Sequence, residues 1–253
     1  KKVYIGAYNG FIYALDKTNG DLVWANRVAD YIGASPLLAD NGLFISAETN
    51  GPDGVLARMD CNTGETQWVS KWLGGHSHSS PAFDNETKQI FVGANSGRMF
   101  AFNSSTGEQN WKKQFSGQIK GTPLVWKDRV IFGSWDKNYH ALNKKTGESL
   151  WLKYMGGRIQ TSLTLVPGEA MGVTNTKMGE IVGLDLNKGD ILWRLKHGDQ
   201  NHQFSILVTK DPKDKKTYLA GRRCKRTQLC TLNAKTGKLI NNSKLPGPFP
   251  SIP

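Results

Sequence analysis

The chain has 253 residues, 38% of them apolar, with 28 glycines and a formal net charge of +12 at pH 7. That apolar content can bury a substantial core, and no run approaches the twenty apolar residues of a membrane helix. The basic balance attracts phosphates, acidic glycans or anionic membranes; no nucleic-acid module accompanies it, so nucleic acid is not a favoured partner.

The chain opens on Val3-Tyr4-Ile5-Gly6-Ala7, a short strand by pattern, and then Leu15-Asp16-Lys17-Thr18-Asn19-Gly20 with Trp24. This unit combines apolar/polar alternation, a turn built on Asp or Asn and Gly, and a tryptophan four residues past the glycine. It returns as Met59 to Gly64 with Trp68, Phe102 to Gly107 with Trp111, Leu142 to Gly147 with Trp151, and Leu184 to Gly189 with Trp193. A degenerate copy, Leu232 to Gly237, has Asn241 where the tryptophan would stand. Period-two alternation makes half-buried strands. The Asp or Asn side chain bonds the amides ahead of it, and glycine supplies the backbone geometry that other residues resist.

Successive glycines lie 44, 43, 40, 42 and 48 residues apart, the period of a four-stranded propeller blade. The third repeat divides into Ser80–Phe83, Gln89–Gly93, Arg98–Asn103 and Gln109–Trp111, and no stretch has a long helical period. The fold predicted is all-β, a single propeller domain of about six four-stranded antiparallel blades. The blades fall near 3–28 with 249–253, 34–70, 79–113, 121–153, 161–195 and 203–241. Pro250-Ser251-Ile252-Pro253 matches a first strand, so it is expected to pair with the amino-terminal blade and close the ring, leaving no open edge.

The pattern Asp/Asn-x-x-Thr-Gly-x-x-x-Trp, preceded by Gly-x-x-Asp/Asn-Gly-x-hydrophobic-x-Ala-hydrophobic, resembles the PQQ-like (pyrroloquinoline-quinone) propeller repeat. The repeat covers nearly the whole chain. It is similar both to quinoprotein alcohol dehydrogenases and to non-enzymatic outer-membrane-assembly lipoproteins, which usually have eight blades. The resemblance implies that Trp24, Trp68, Trp111, Trp151 and Trp193 dock blade to blade. It also implies a residue check: the dehydrogenases share an adjacent cysteine pair, a calcium-binding Glu and Asn, and a catalytic Asp. No two cysteines are adjacent here, and the acidic cluster finds no matching positions.

In a four-stranded blade the second-to-third-strand loops and the loops between blades emerge on one face. Residues just before each innermost strand then ring the central funnel. Two residues before each opening Ser or Thr stand Gly33, His78, Lys120, Gln160, Gln203 and Phe249; four before stand Tyr31, His76, Gln118, Arg158, Asn201 and Gly247. The hairpin loops add Trp135, Lys137, Lys177 and Arg222, among others. The ligand-binding candidates are therefore Tyr31, His76, His78, Gln118, Lys120, Trp135, Arg158, Gln160, His202, Gln203 and Arg222. Trp135 and Trp72 stand outside the docking pattern, either to stack on a ligand or to tuck under a loop. Lys120, Arg158, Lys137 and Arg222 would make the funnel mouth positive.

His76-x-His78 has ligand spacing, with His202 from another blade, but no convincing carboxylate joins them, so no metal is assigned. Cys224 and Cys230 flank the last hairpin and could form a disulfide, leaving Cys61 free; this suits an oxidising compartment. The reading is a non-catalytic scaffold that binds a protein, peptide or anionic glycan outside the cytoplasm, without a cofactor. The alternative is a quinone-dependent dehydrogenase using the quinone with calcium, or a degenerate relative of one.

Overall fold

The computed structural model describes residues 1–196, 205–214, 218–225 and 228–244, without the side chains of 222–225. All regular structure among them is antiparallel sheet. The first sheet holds Lys2–Gly6, Phe11–Asp16 and Leu22–Arg27. The second holds Leu37–Ala39, Gly42–Glu48, Gly54–Asp60 and Thr66–Val69. The third holds Ala82–Asp84, Gln89–Gly93, Arg98–Asn103 and Gln109–Gln114. The fourth holds Leu124–Trp126, Arg129–Gly133, Asn138–Asn143 and Ser149–Tyr154. The fifth holds Thr164–Leu165, Met171–Thr176, Glu180–Asp185 and Ile191–Lys196. The sixth holds Leu207–Lys210, Tyr218–Lys225, Gln228–Asn233 and Leu239–Lys244. Strands pair in sequence order in every sheet, the meander of a propeller blade.

One expectation of the sequence reading lies outside the described residues, and another differs from the structure. The first sheet has three strands among the described residues, and the closing strand expected at 249–253 lies outside them. The innermost strand of the third blade begins at Ala82 rather than Ser80. Ser79 and Ser80 instead turn their hydroxyls to neighbouring blades: Ser79 Oγ donates to the Gly121 carbonyl, and Ser80 Oγ accepts from the Ser35 amide, both at 2.9 Å.

The core is divided. Each of five apolar clusters straddles two consecutive sheets. Phe44, Leu56 and Leu73 meet Ile90, Val92 and Phe100, for example, and Phe91, Met99 and Trp111 meet Val130, Phe132 and Leu142. The middle strands are therefore buried on both faces. Gln89–Gly93 is buried throughout, while the outermost strand Gln109–Gln114 is largely exposed.

The repeat motif explains how the sheets meet. In each turn the Asp or Asn carboxyl or amide oxygen accepts amides two and three residues ahead, as Asn143 Oδ1 does from Lys145 and Thr146. The glycine that follows has φ between 69° and 81° in all six turns. On five of these glycines lies the indole of the preceding sheet. A Cβ built on Gly64 would stand 2.6 Å from Trp24, one on Gly107 2.6 Å from Trp68, and one on Gly147 2.9 Å from Trp111. The same holds for Gly189 under Trp151 (2.6 Å) and Gly237 under Trp193 (2.4 Å). Three indoles also donate Nε1–H to the carbonyl three residues before that glycine: Trp68 to Ser104, Trp111 to Lys144, Trp151 to Leu186. A β-bulge recurs at the same point of every third-to-fourth strand pairing and adds twist there.

Gly20 has the same positive φ (81°) with nothing within 4 Å of its would-be Cβ, so it serves as an internal control. Gly20→Ala should cost only the left-handed strain, about 1–2 kcal/mol. Gly147→Ala should cost visibly more, because its methyl must also displace the Trp111 ring. Trp111→Ala should cost about 3–5 kcal/mol. Urea-unfolding midpoints of the three variants check this; equal shifts for the two glycine variants would mean the indole contact carries no energy.

Candidate functional site

Alternate hairpins turn at opposite ends of a blade, so the Asx-Gly turns share one face and the second-to-third-strand turns share the other with the loops between blades. Backbone bonds hold the latter face together: Leu73 N–H to Gly54 O, Asn95 N–H to His76 O, and Trp135 N–H to Gln118 O, at 2.8 to 2.9 Å. Gly117 packs so tightly on the Trp135 turn that a Cβ there would lie 2.1 Å from the Asp136 amide nitrogen. The loop carrying Gln118 and Lys120 is thus fixed against the turn carrying Trp135. Deeper in, backbone amides donate blade to blade onto a row of hydroxyls, Thr122 to Ser162 Oγ (2.9 Å) and Ser162 to Ser205 Oγ (3.2 Å).

Three cations from three loops converge on one ring. Lys120 Nζ lies 4.5 Å, Arg158 Cζ 4.8 Å and Lys177 Nζ 5.3 Å from the Trp135 ring centroid, within cation–π range. Burial, and then the neighbouring Lys177 charge, hold the Lys120 ammonium below its ordinary value, with Glu48 opposing in part. The adjacent acid faces elsewhere: Asp136 Oδ2 lies 2.8 Å from His140 Nε2, and that imidazole packs on Phe115 and Phe132. Burial resists ionisation of Asp136, but the bond to His140, its charge and Asn138 prevail and hold the carboxyl below its ordinary value. Trp135 Nε1 is buried and has no hydrogen-bond partner.

A second cluster adjoins the first, and it corrects the sequence reading that no carboxylate joins the paired histidines. Glu48, at the end of Gly42–Glu48 and 4% exposed, lies between them. His76 Nδ1 is 3.0 Å from Oε2 and His78 Nδ1 is 3.0 Å from Oε1. His76 Nε2 also donates to the Gly51 carbonyl (2.8 Å). The His78 contact is electrostatic rather than an aligned hydrogen bond, since Oε1 has no hydrogen-bond partner. Glu48 could have been suspected from the sequence as the one charged residue closing an otherwise apolar strand.

Tyr31 forms a two-residue bridge with Glu48 through backbone bonds, and its ring lies 5.7 Å from that of Tyr8. Gln160 lines a cleft of about 500 Å³ with His78, Lys120, Thr122 and Ser205, which joins the two clusters. Trp72 is 63% exposed and lines a separate groove with Val69 and Phe100 at the outer edges of the second and third sheets. His202, Gln203 and the Arg222 side chain lie outside the described residues. Cys230 is disulfide-bonded and Cys61 is a free thiol; the Cys224 side chain lies outside the described residues.

Among the described residues no group of three His, Cys, Asp or Glu is placed to hold a metal ion. Calcium takes six to eight oxygen ligands, whereas the funnel's buried carboxylate is flanked by two imidazole nitrogens. These residues do not fit a quinone held with calcium.

Burial first, then the Lys120 and His76 charges, hold His78 below its ordinary 6.5, against the pull of Glu48. Between that depressed value and 6.5 the folded protein binds fewer protons than the unfolded chain. This contribution to stability is therefore complete above 6.5 and is lost as pH falls toward the folded value. Proton NMR should find His78 titrating below 6.5, and Lys120→Met should raise its midpoint. A midpoint that does not move would separate the two side chains.

A family profile described as "Outer membrane protein assembly factor BamB" matches residues 1–87, 52–207 and 127–252. The assembly factor of that name from Moranella endobia is 28% identical over 139 residues, 55% of this chain and 34% of the relative. The chain spans about a third of the length of the curated relatives it matches first. The solved structure of BamB from Moraxella catarrhalis superposes with a TM-score of 0.75 at 18% identity, covering 98% of this chain and 71% of the other. The quinohemoprotein alcohol dehydrogenase of Comamonas testosteroni superposes at 0.69 with 18% identity, covering 84% and 43%. Both likenesses establish the fold, and the profile match places this chain in the BamB-like family of PQQ-repeat β-propellers.

Proposed function

We propose that this chain is a non-catalytic scaffold that binds a protein partner at its funnel face, outside the cytoplasm. The supporting observation is the cluster at Trp135, where Lys120, Arg158 and Lys177 surround one indole and the loops carrying Lys120 and Arg158 are bonded to the Trp135 hairpin through the backbone. A rigid surface loses little side-chain freedom on binding, so more of its contact energy appears as affinity. The indoles that cover the turn glycines dock the blades and supply that rigidity. Relatives named outer membrane protein assembly factors point to outer-membrane assembly as the setting. An acidic peptide or an anionic glycan would meet the same cations.

Charge reversal tests the face. The Lys120→Glu/Arg158→Glu double variant should lose at least about a hundredfold in binding to the partner captured from native envelope extract, the loss expected when two charge-assisted contacts of about 1.5–3 kcal/mol each are removed. Unchanged binding would move the interaction to the rim. Protein mixed with pyrroloquinoline quinone and calcium should give no turnover in a dye-linked alcohol assay; turnover would overturn the scaffold reading.

A further inference from the structure

Among the described residues, Lys120, Arg158 and Lys177 make no ion pair. The two acids closest in the fold are committed elsewhere, Asp136 to His140 and Glu48 to His76 and His78. Like charges gathered around one ring repel one another, and burial, then the Lys177 charge, hold the Lys120 ammonium below its ordinary value. Such an arrangement is relieved by an anion and by little else.

Two further groups describe that anion's surroundings. Trp135 Nε1 is a buried donor without an acceptor, and Gln118 Oε1, in the loop bonded to the Trp135 amide, is a buried acceptor without a donor. A buried polar group left unpaired costs about 1–3 kcal/mol, so both gain from a ligand that carries donors as well as acceptors. A bare phosphate group offers acceptors alone. A peptide offers carboxylates to the cations, carbonyls to the indole N–H and amide N–H groups to Gln118. The cations come from three different loops around one ring, so several carboxylates on one strand can meet them together.

We infer that the Trp135 site takes an acidic peptide segment, with Asp or Glu carboxylates seated among Lys120, Arg158 and Lys177 at the indole. The inference rests on the funnel-face reading and specifies the chemistry of the partner there. The segment would also raise the Lys120 pKa, by adding the negative charge that the cluster lacks.

The test is calorimetric titration of the whole chain with an acetylated, amidated Asp-Glu-Asp-Glu-Asp-Glu peptide. Its Asn/Gln counterpart, tripolyphosphate and a heparin hexasaccharide serve as comparators. The acidic peptide should bind and weaken with salt, and the Asn/Gln peptide should not bind. Lys177→Gln and Arg158→Gln should each weaken binding about tenfold, the loss of one charge-assisted contact. Lys17→Gln, in the first turn of the opposite face, should leave it unchanged. Equal thermal midpoints establish that the variants are folded. Binding of tripolyphosphate or hexasaccharide without the peptide overturns the inference, as does peptide binding that neither variant weakens. If partner capture falls on charge reversal but the peptide does not bind, this inference fails and the funnel-face reading stands. If capture persists while the variants lose the peptide, the funnel-face reading fails.

Discussion

One contact organises this protein: an indole laid on the Cα of a left-handed glycine in the next sheet. The glycine has two jobs at once. Its positive φ closes the Asx turn, and its missing side chain gives the ring a flat backbone surface. Any Cβ would spoil both, which is why turn chemistry and packing between blades are written into one short motif. Where the indole also donates to the turn carbonyl, the contact gains direction as well as area. Trp24 and Trp193 lack that bond, and Trp24 shows the competition for the carbonyl. The equivalent acceptor, Cys61 O, is taken by the Tyr4 hydroxyl at 2.8 Å and by Lys2, and Trp24 Nε1 is left without a partner.

This explains how much of the fold could be read from the sequence. The repeat spacing varies from 40 to 48 residues, yet the contact is the same each time, because the variation falls in loops and the motif fixes strand, turn and ring together. The motif could not supply the atomic meeting of residues from different blades. Trp135 and Lys177 are both visible in the sequence as hairpin residues, but their convergence depends on the rotation between two sheets. Glu48 was missed for a related reason. A charged residue at the end of a strand ordinarily reaches solvent. Here the loop between the second and third sheets passes over it and places His76 and His78 on its two oxygens.

The funnel face is electrically divided, and the division is built from the same locked loops. On one side Glu48 faces two imidazoles; on the other, three cations share a ring with no ion pair among the described residues. His78 and Lys120 line one cleft where the halves meet; there burial, and then the Lys120 charge, lower the tendency of His78 to hold a proton. An unbalanced cluster of this kind would disperse on a flexible surface. It persists because Gly117 is wedged against the Asp136 amide and because Asp136 is anchored under the ring by His140.

The same propeller carries assembly factors and alcohol dehydrogenases, so the choice between them cannot come from the blades. It has to come from donors on the funnel face. Calcium and a quinone need many oxygens in one place, and among the described residues no such group of carboxylates is gathered. A binding surface needs much less: a fixed aromatic plane, charges of one sign without internal partners, and hydrogen-bonding groups with nothing yet to bond. Trp135 and its neighbours meet that smaller requirement, and they do so at the point where loops from several blades are held most closely together.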